Sequence, residues 1–172
     1  MTETSSLDAQ QWQSRLQNLV TQWSQGKTSL KSIMGLSEEE MHAVASQAYF
    51  LFLQGKVEAA RVIFEGLVAI DPRNAYYYRA LGTIYWRLKD PIKALKQLTY
   101  AIRVSPTDVS AYINRAEIYI ATQQFPQARL DLAAALQHAK PTDVPLVKKA
   151  HAMVQIITGG VEIALPGTEP RA

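Results

Sequence analysis

An all-α solenoid of three helix-turn-helix units is the fold class this sequence predicts, and three observations predict it. Small residues recur at a fixed interval of 34, as Ala48, Gly82 and Ala116 and again as Ala60, Ala94 and Ala128, the signature of a stacked helical-pair repeat. Within a unit, apolar residues fall at i, i+3, i+4 and i+7, as Tyr78, Leu81, Gly82 and Tyr85 do, and no convincing alternating run of the kind a strand needs competes with them. A helical pair cannot bury both of its sides alone, so neighbouring pairs must stack.

The elements follow in chain order. Trp12, Leu16, Leu19, Val20 and Trp23 lie at helical spacing and make one amphipathic helix that closes near Gly26. Two uses of this stripe stay open: an N-terminal cap folded back on the repeats, or a self-association surface giving a homodimer. A short segment from Leu30 to Met34 comes next, and Ser37-Glu38-Glu39-Glu40 reads as a capping box opening the first unit. Larger residues keep the 34-residue register, as Val44, Tyr78 and Tyr112 or Phe64, Leu98 and Leu132, with helix-ending prolines at Pro72, Pro106 and, displaced by one, Pro141. In the second unit Lys89-Asp90-Pro91 is a helix stop and restart, with Asp90 as cap and Pro91 at the first helical position, where a missing N–H costs nothing. Gly82 and Ala94 allow the two helices of that unit to approach closely. A last helix, capped by Thr142 or Asp143, carries Leu146, Ala150, Met153 and Ile157 on one stripe and closes the array. Beyond Gly159-Gly160 the segment with Pro166, Gly167 and Pro170 is expected to be disordered. The expected organisation is therefore 1–36 as an N-terminal helical segment, 37–141 as repeats, 142–158 as a capping helix and 159–172 as a tail.

Composition narrows the function. The 172 residues contain no cysteine, and the first ten lack the apolar run of an export signal, so disulfides and thiolate chemistry are excluded and a cytoplasmic protein without a membrane span is expected. The histidines, His42, His138 and His151, have no metal-ligand spacing, the Glu38 to Glu40 run is explained as a helix start, and Gly159-Gly160 lacks a phosphate-loop lysine. No nucleophile, base and pocket assemble. Neither an enzyme, nor a cofactor, nor a metal is expected. The net charge of +3 is unevenly spread: Arg79, Arg87, Lys89, Lys93, Lys96 and Arg103 face a single acid, Asp90, between Ala75 and Pro106. A solvated helical surface accounts for this better than a nucleic-acid stripe, since no recognition motif accompanies it.

Leu81-Gly82, Tyr85, Ala94, Ala101 and Pro106 resemble the tetratricopeptide signature, with Tyr78 in place of its tryptophan. The resemblance covers about residues 41–141 and is weakest in the third unit, where Arg115 replaces the expected leucine. It implies that a second face of each leading helix lines a concave groove. In the first unit Val44, Gln47, Ala48 and Leu51 are assigned to the partner helix, leaving Ala45, Tyr49, Phe52 and Leu53 for that second face. The expected peptide-binding groove comprises Tyr49, Phe52, Leu53, Tyr76, Arg79, Trp86, Arg87, Ile113, Glu117 and Ile120. Each large side chain taken singly also fits a core position; as a contiguous apolar set bordered by arginines they suit an extended peptide with apolar anchors.

The layout of a leading helix, Leu36-Ser37-Glu38-Glu39, then Ala48-Tyr49 through Gln54-Gly55-Lys56, Ala60, Phe64 and Leu67, three repeats and a capping helix, is similar to the class II chaperones of bacterial type III secretion. That resemblance implies a cytoplasmic chaperone that holds hydrophobic translocator proteins before export and often dimerises through its N-terminal helix. A general interaction scaffold within a larger assembly is the alternative. The basic second repeat is a departure from the pattern of that chaperone class.

Overall fold

The computed structural model describes residues 3–159, with side chains from Gln11 onward except those of Trp12 and Leu16. The predicted tail beyond Gly159 and the side chains of Trp12 and Leu16 thus lie outside the described residues. Among the described residues every regular element is an α-helix: α1 (Glu3–Ser24), α2 (Leu30–Met34), α3 (Glu38–Leu53), α4 (Val57–Ile70), α5 (Ala75–Arg87), α6 (Pro91–Val104), α7 (Val109–Ala121), α8 (Phe125–His138) and α9 (Val144–Thr158).

Helix boundaries are set by the chemistry the sequence announces. Ser37 accepts from the Glu40 N–H at 3.1 Å while Glu40 Oε2 accepts from the Ser37 N–H at 2.9 Å, a complete capping box at the start of α3. Asp90 Oδ1 accepts from the Lys93 N–H at 3.0 Å, and Pro91 occupies the first turn of α6. Asp143 sits at the start of α9 but turns away from it, accepting from the Lys140 N–H at 2.9 Å. It therefore ties down the loop and leaves the helix N–H groups uncapped.

Three pairs, α3–α4, α5–α6 and α7–α8, pack antiparallel and stack in sequence, α4 against α5, α6 against α7 and α8 against α9. The leading helices α3, α5, α7 and α9 also touch one another in a row, so the fold has an inner row of leading helices and an outer row formed by α4, α6 and α8. Gly82 is what brings α5 onto α6: a Cβ built there would lie 2.5 Å from Leu98 Cγ. Two apolar clusters form the core, one around Phe64, Leu81, Ile84 and Leu98 and one around Ile113, Ala128, Leu132 and Met153.

One assignment on α3 is corrected. Met41, Ala45 and Ala48 are buried while Val44 is 47% exposed, because the buried face of this helix runs through i, i+4 and i+7 from Met41, about one position round from the face inferred from Val44. Ala45 belongs to the core.

At the leucine position of the third repeat, Arg115 forms a two-point pair with Asp131, Nε to Oδ2 at 2.8 Å and Nη2 to Oδ1 at 2.7 Å, and donates from Nη1 to Thr99 Oγ1 at 3.0 Å. Its guanidinium also lies near the rings of Tyr112 and Tyr119. Burial pushes the Asp131 carboxyl up from its ordinary value, and the guanidinium opposes that shift. The charge that looked like a defect in the repeat pattern is satisfied from three helices, α6, α7 and α8.

Candidate functional site: an aromatic cleft on the inner row

Asn74 caps α5 by accepting from the Tyr76 N–H at 3.1 Å, which starts the helix so that Tyr76, Arg79 and Thr83 come up on the inner row. Tyr76 meets Phe64 edge-on at 6.0 Å between ring centroids, and on α3 the rings of Tyr49 and Phe52 stack at 6.4 Å. These residues, with Ala80, Thr83, Ile84 and Asn114, surround a cleft of about 90 Å³, the scale of one or two aliphatic side chains. Its floor is apolar and its rim carries few polar atoms, the composition of a site that grips hydrocarbon and orients it with a handful of hydrogen bonds.

The polar atoms are held in place. The Arg79 guanidinium lies 5.5 Å from the centre of the Tyr76 ring, and its buried Nε sits 3.1 Å from Asp108 Oδ2 as an ionic contact without hydrogen-bond alignment. Asp108 is itself fixed, because its Oδ1 caps α7 by accepting from the Ala111 N–H at 3.1 Å. Thr83 donates to the Arg79 carbonyl at 3.2 Å and accepts from Asn114 Nδ2 at 3.3 Å, so α5 and α7 are linked across the cleft. Burial pushes the Tyr76 phenol up, with Arg79 opposing; it stays a neutral hydrogen-bonding group.

Tyr49, Phe52, Tyr76 and Arg79 are the expected groove residues that converge on this cleft. Leu53 and Arg87 stand exposed on the same helices, and Tyr49 and Leu53 are 49% and 63% exposed. Trp86 and Ile120 are half-buried, each packed against one of the two core clusters. Glu117 is paired with Lys149 of α9 at 2.7 Å. Ile113 is a correction: it is 1% exposed, inside the second core cluster. It shares a register position with Ala45 and Arg79, and that position points between neighbouring inner helices; Ala45 and Ile113 fill it, whereas the long Arg79 stem carries its charge out to Asp108. Sequence reasoning missed Asn114 and Ala80. They share one register position, and their small or short polar side chains carry no apolar signal.

A wider concavity of about 640 Å³ lies under α2, among Lys27, Lys31, Asp71 and Arg73. Three of these charges are spent on structure: Lys31 pairs with Glu38 and lies 3.9 Å from Asp71, and Arg73 donates to the Gly26 carbonyl at 3.0 Å. It fastens the α1–α2 connection to the first repeat. On α1, Val20 and Trp23 are 57% and 47% exposed and Leu19 is half-buried. No helix among the described residues is long and apolar enough to cross a membrane.

Comparison with known proteins agrees with this architecture. A family model described as tetratricopeptide repeat matches residues 79–144. DnaJ homolog subfamily C member 7 from Mus musculus is 30% identical over 93 residues and its Homo sapiens counterpart 29%; the match covers 52% of this chain and only 19% of those relatives' length. Among solved structures, a T3SS complex from Aeromonas hydrophila superposes with a TM-score of 0.76 at 18% identity, covering 83% of this chain and 96% of that one. The type III secretion translocator chaperone SycD from Yersinia enterocolitica gives a TM-score of 0.72 at 18% identity, covering 75% and 98%. PcrH, a Pseudomonas aeruginosa protein, in complex with the chaperone binding region of PopD gives 0.68 at 24% identity, covering 73% and 96%. The chain has a tetratricopeptide fold and resembles the translocator chaperones of type III secretion.

Proposed function

We propose that this protein is a cytoplasmic chaperone that holds an extended apolar segment of a type III secretion translocator in its inner-row groove and keeps it soluble before export. The observation that carries the reading is the cleft of Tyr49, Phe52, Tyr76 and Arg79, an aromatic site on the face where the leading helices line up. Two proteins of similar fold support it through what they hold, the chaperone binding region of PopD in PcrH and a peptide of the translocator YopD in SycD. One apolar anchor seated in the cleft is worth about 1.5–3 kcal/mol, so two or three such contacts along the inner row contribute about 3–9 kcal/mol before ordering costs are subtracted. Leu53, Trp86, Arg87, Glu117 and Ile120 extend the surface on either side. A peptide held by its terminal carboxylate suits the site less, since Ala45 is buried, Tyr49 is a ring and Arg79 is already paired with Asp108.

The stripe of Trp12, Leu16, Leu19, Val20 and Trp23 is proposed as the dimerisation surface, supported by the exposure of Val20 and Trp23. Co-expression with a candidate type III secretion translocator tests the chaperone reading: the translocator should be soluble with the wild type and insoluble with Tyr49→Ala/Phe52→Ala. A translocator equally soluble with both, or insoluble with both, rejects it.

A further inference from the structure

The outer row carries a feature that peptide capture on the inner row does not use. On α6, Ile92, Lys93, Lys96, Tyr100 and Arg103 fall on one helical stripe and all are exposed, Ile92 at 80% and Tyr100 at 37%, with Val104 beside them at 38%. Lys89, in the turn before the helix, extends the line. The single acid between Ala75 and Pro106, Asp90, is occupied by the α6 N-terminus and by Lys93, whose Nζ lies 3.1 Å away, and Glu65 of α4, which Lys93 also reaches electrostatically, is paired with Arg61. Arg103 lies over the Tyr100 ring at 5.6 Å, and Tyr100 leans on Tyr78 at 5.6 Å, so the aromatic in mid-stripe is braced from both sides. The next outer helix adds no exposed acid: its single carboxylate, Asp131, is buried against Arg115, while Leu130 stands 61% exposed.

We infer that the outer face of α6 is a docking surface for an acidic, amphipathic segment of another protein, most simply a helix laid along it. Charge complementarity fixes the sign, since the stripe offers cations at Lys89, Lys96 and Arg103 with no free carboxylate among them. The apolar side chains fix the shape: Ile92, Tyr100 and Val104 would insert between the partner's carboxylates as its hydrophobic anchors. Width separates this partner from a flat anionic surface. The stripe is one helix wide and about 21 Å long, a shape that matches a single helix laid along it; on the preceding outer helix Glu58 and Glu65 are both paired with Arg61.

The test uses the full chain and a fluorescein-labelled helical peptide of about 18 residues, with leucines along one stripe and glutamates flanking it, followed by polarisation and by amide chemical shifts. Binding is expected to shift the signals of Ile92, Lys96, Tyr100 and Arg103 and to leave those of Tyr49 and Thr83 in place. Ile92→Asp and Lys96→Glu/Arg103→Glu should each weaken it at least about tenfold, and raising salt from about 0.1 to 1 M, which shortens the screening length from about 10 to 3 Å, should weaken it further. These exposed substitutions should leave the circular dichroism unchanged. Equal binding of a scrambled Leu/Glu peptide overturns the inference, as does a shift map centred away from α6. Stripe-dependent binding of phosphatidylserine vesicles or of a single-stranded oligonucleotide, with no binding of the peptide, also overturns it and assigns the face to that ligand.

Discussion

Replacing Gly82 by alanine tests the close approach on which the second repeat depends. In a helix interior this change normally stabilises by about 0.5–1 kcal/mol, because alanine loses less backbone entropy on folding. At Gly82 the new methyl would stand 2.5 Å from Leu98 Cγ and 2.9 Å from Cδ2, and Leu98 is fully buried. Forcing one methyl into a packed core costs about 1–3 kcal/mol. Gly66 provides the control: it is also within a helix, and nothing lies within 4 Å of its Cβ position. The propensity gain is common to both variants, so the difference in their stabilities isolates the clash and should be about 1–3 kcal/mol in favour of Gly66→Ala. Thermal denaturation followed by circular dichroism would show this as a gap of several degrees, at roughly 2–4 °C per kcal/mol for a chain of this size. Adding Leu98→Ala to Gly82→Ala should cost less than the sum of the two single changes. A Gly82→Ala protein as stable as Gly66→Ala would refute the claim that contact between α5 and α6 requires a missing side chain.

Three further outcomes are expected. Tyr49→Ala should leave the melting temperature nearly unchanged, whereas Trp86→Ala, which removes a ring packed against the core, should lower it sharply, with a cost towards the 3–5 kcal/mol of a core aromatic. Arg115→Ala should destabilise by about 3–5 kcal/mol in urea unfolding by stranding the Asp131 carboxylate, and Arg115→Leu/Asp131→Ala should recover most of that loss. Asp90 is held below the ordinary carboxylate range, first by the Lys93 N–H and then by its ammonium. Its contribution is complete above the unfolded value near 3.8 and is lost as pH falls through the lowered folded value, so Asp90→Asn should flatten the acid limb of the stability profile.

Much of the architecture was legible because repeats write their packing into the sequence at a fixed interval. Ala48, Ala60, Ala94, Ala116 and Ala128 are all fully buried, and a small residue recurring at a constant spacing is what a close helix crossing demands in every unit. The caps at Ser37 and Asp90 were equally readable, since a Ser or Asp followed by its N–H partners is a local device; the cap expected at Asp143 was not, because its carboxylate accepts from the Lys140 N–H instead. The groove was legible only in part. Tyr49, Phe52 and Tyr76 announced themselves by size, but the 34-residue register carried Arg79 forward to Ile113 as though both faced a ligand. Periodicity gives a position's direction from the helix axis; it does not reveal whether the neighbouring helix covers that direction, and at this position it does. Asn114 shows the converse. Its role depends on a bond to Thr83 across the gap between α5 and α7, a relation between repeats that no pattern within one repeat records.

The third repeat shows what a broken pattern can contribute. In a solenoid each unit meets only its neighbours, and similar apolar faces tolerate more than one stacking register. Leu81 in the second repeat, buried among aliphatic and aromatic side chains, makes contacts of this undirected kind. Arg115, at the same register position, does not: it bonds Thr99 of α6 and both carboxylate oxygens of Asp131 on α8, and a slip of one position would leave a buried carboxylate and guanidinium without partners. Such a pair adds little net stability over a well-packed leucine, because desolvation consumes most of its attraction. What distinguishes it is direction. The bond to Thr99 spans the boundary between the second and third repeats, from α7 to α6. A directional contact there fixes how α7 sits on α6, and with it the line of α5 and α7 from which Arg79, Thr83 and Asn114 reach the cleft.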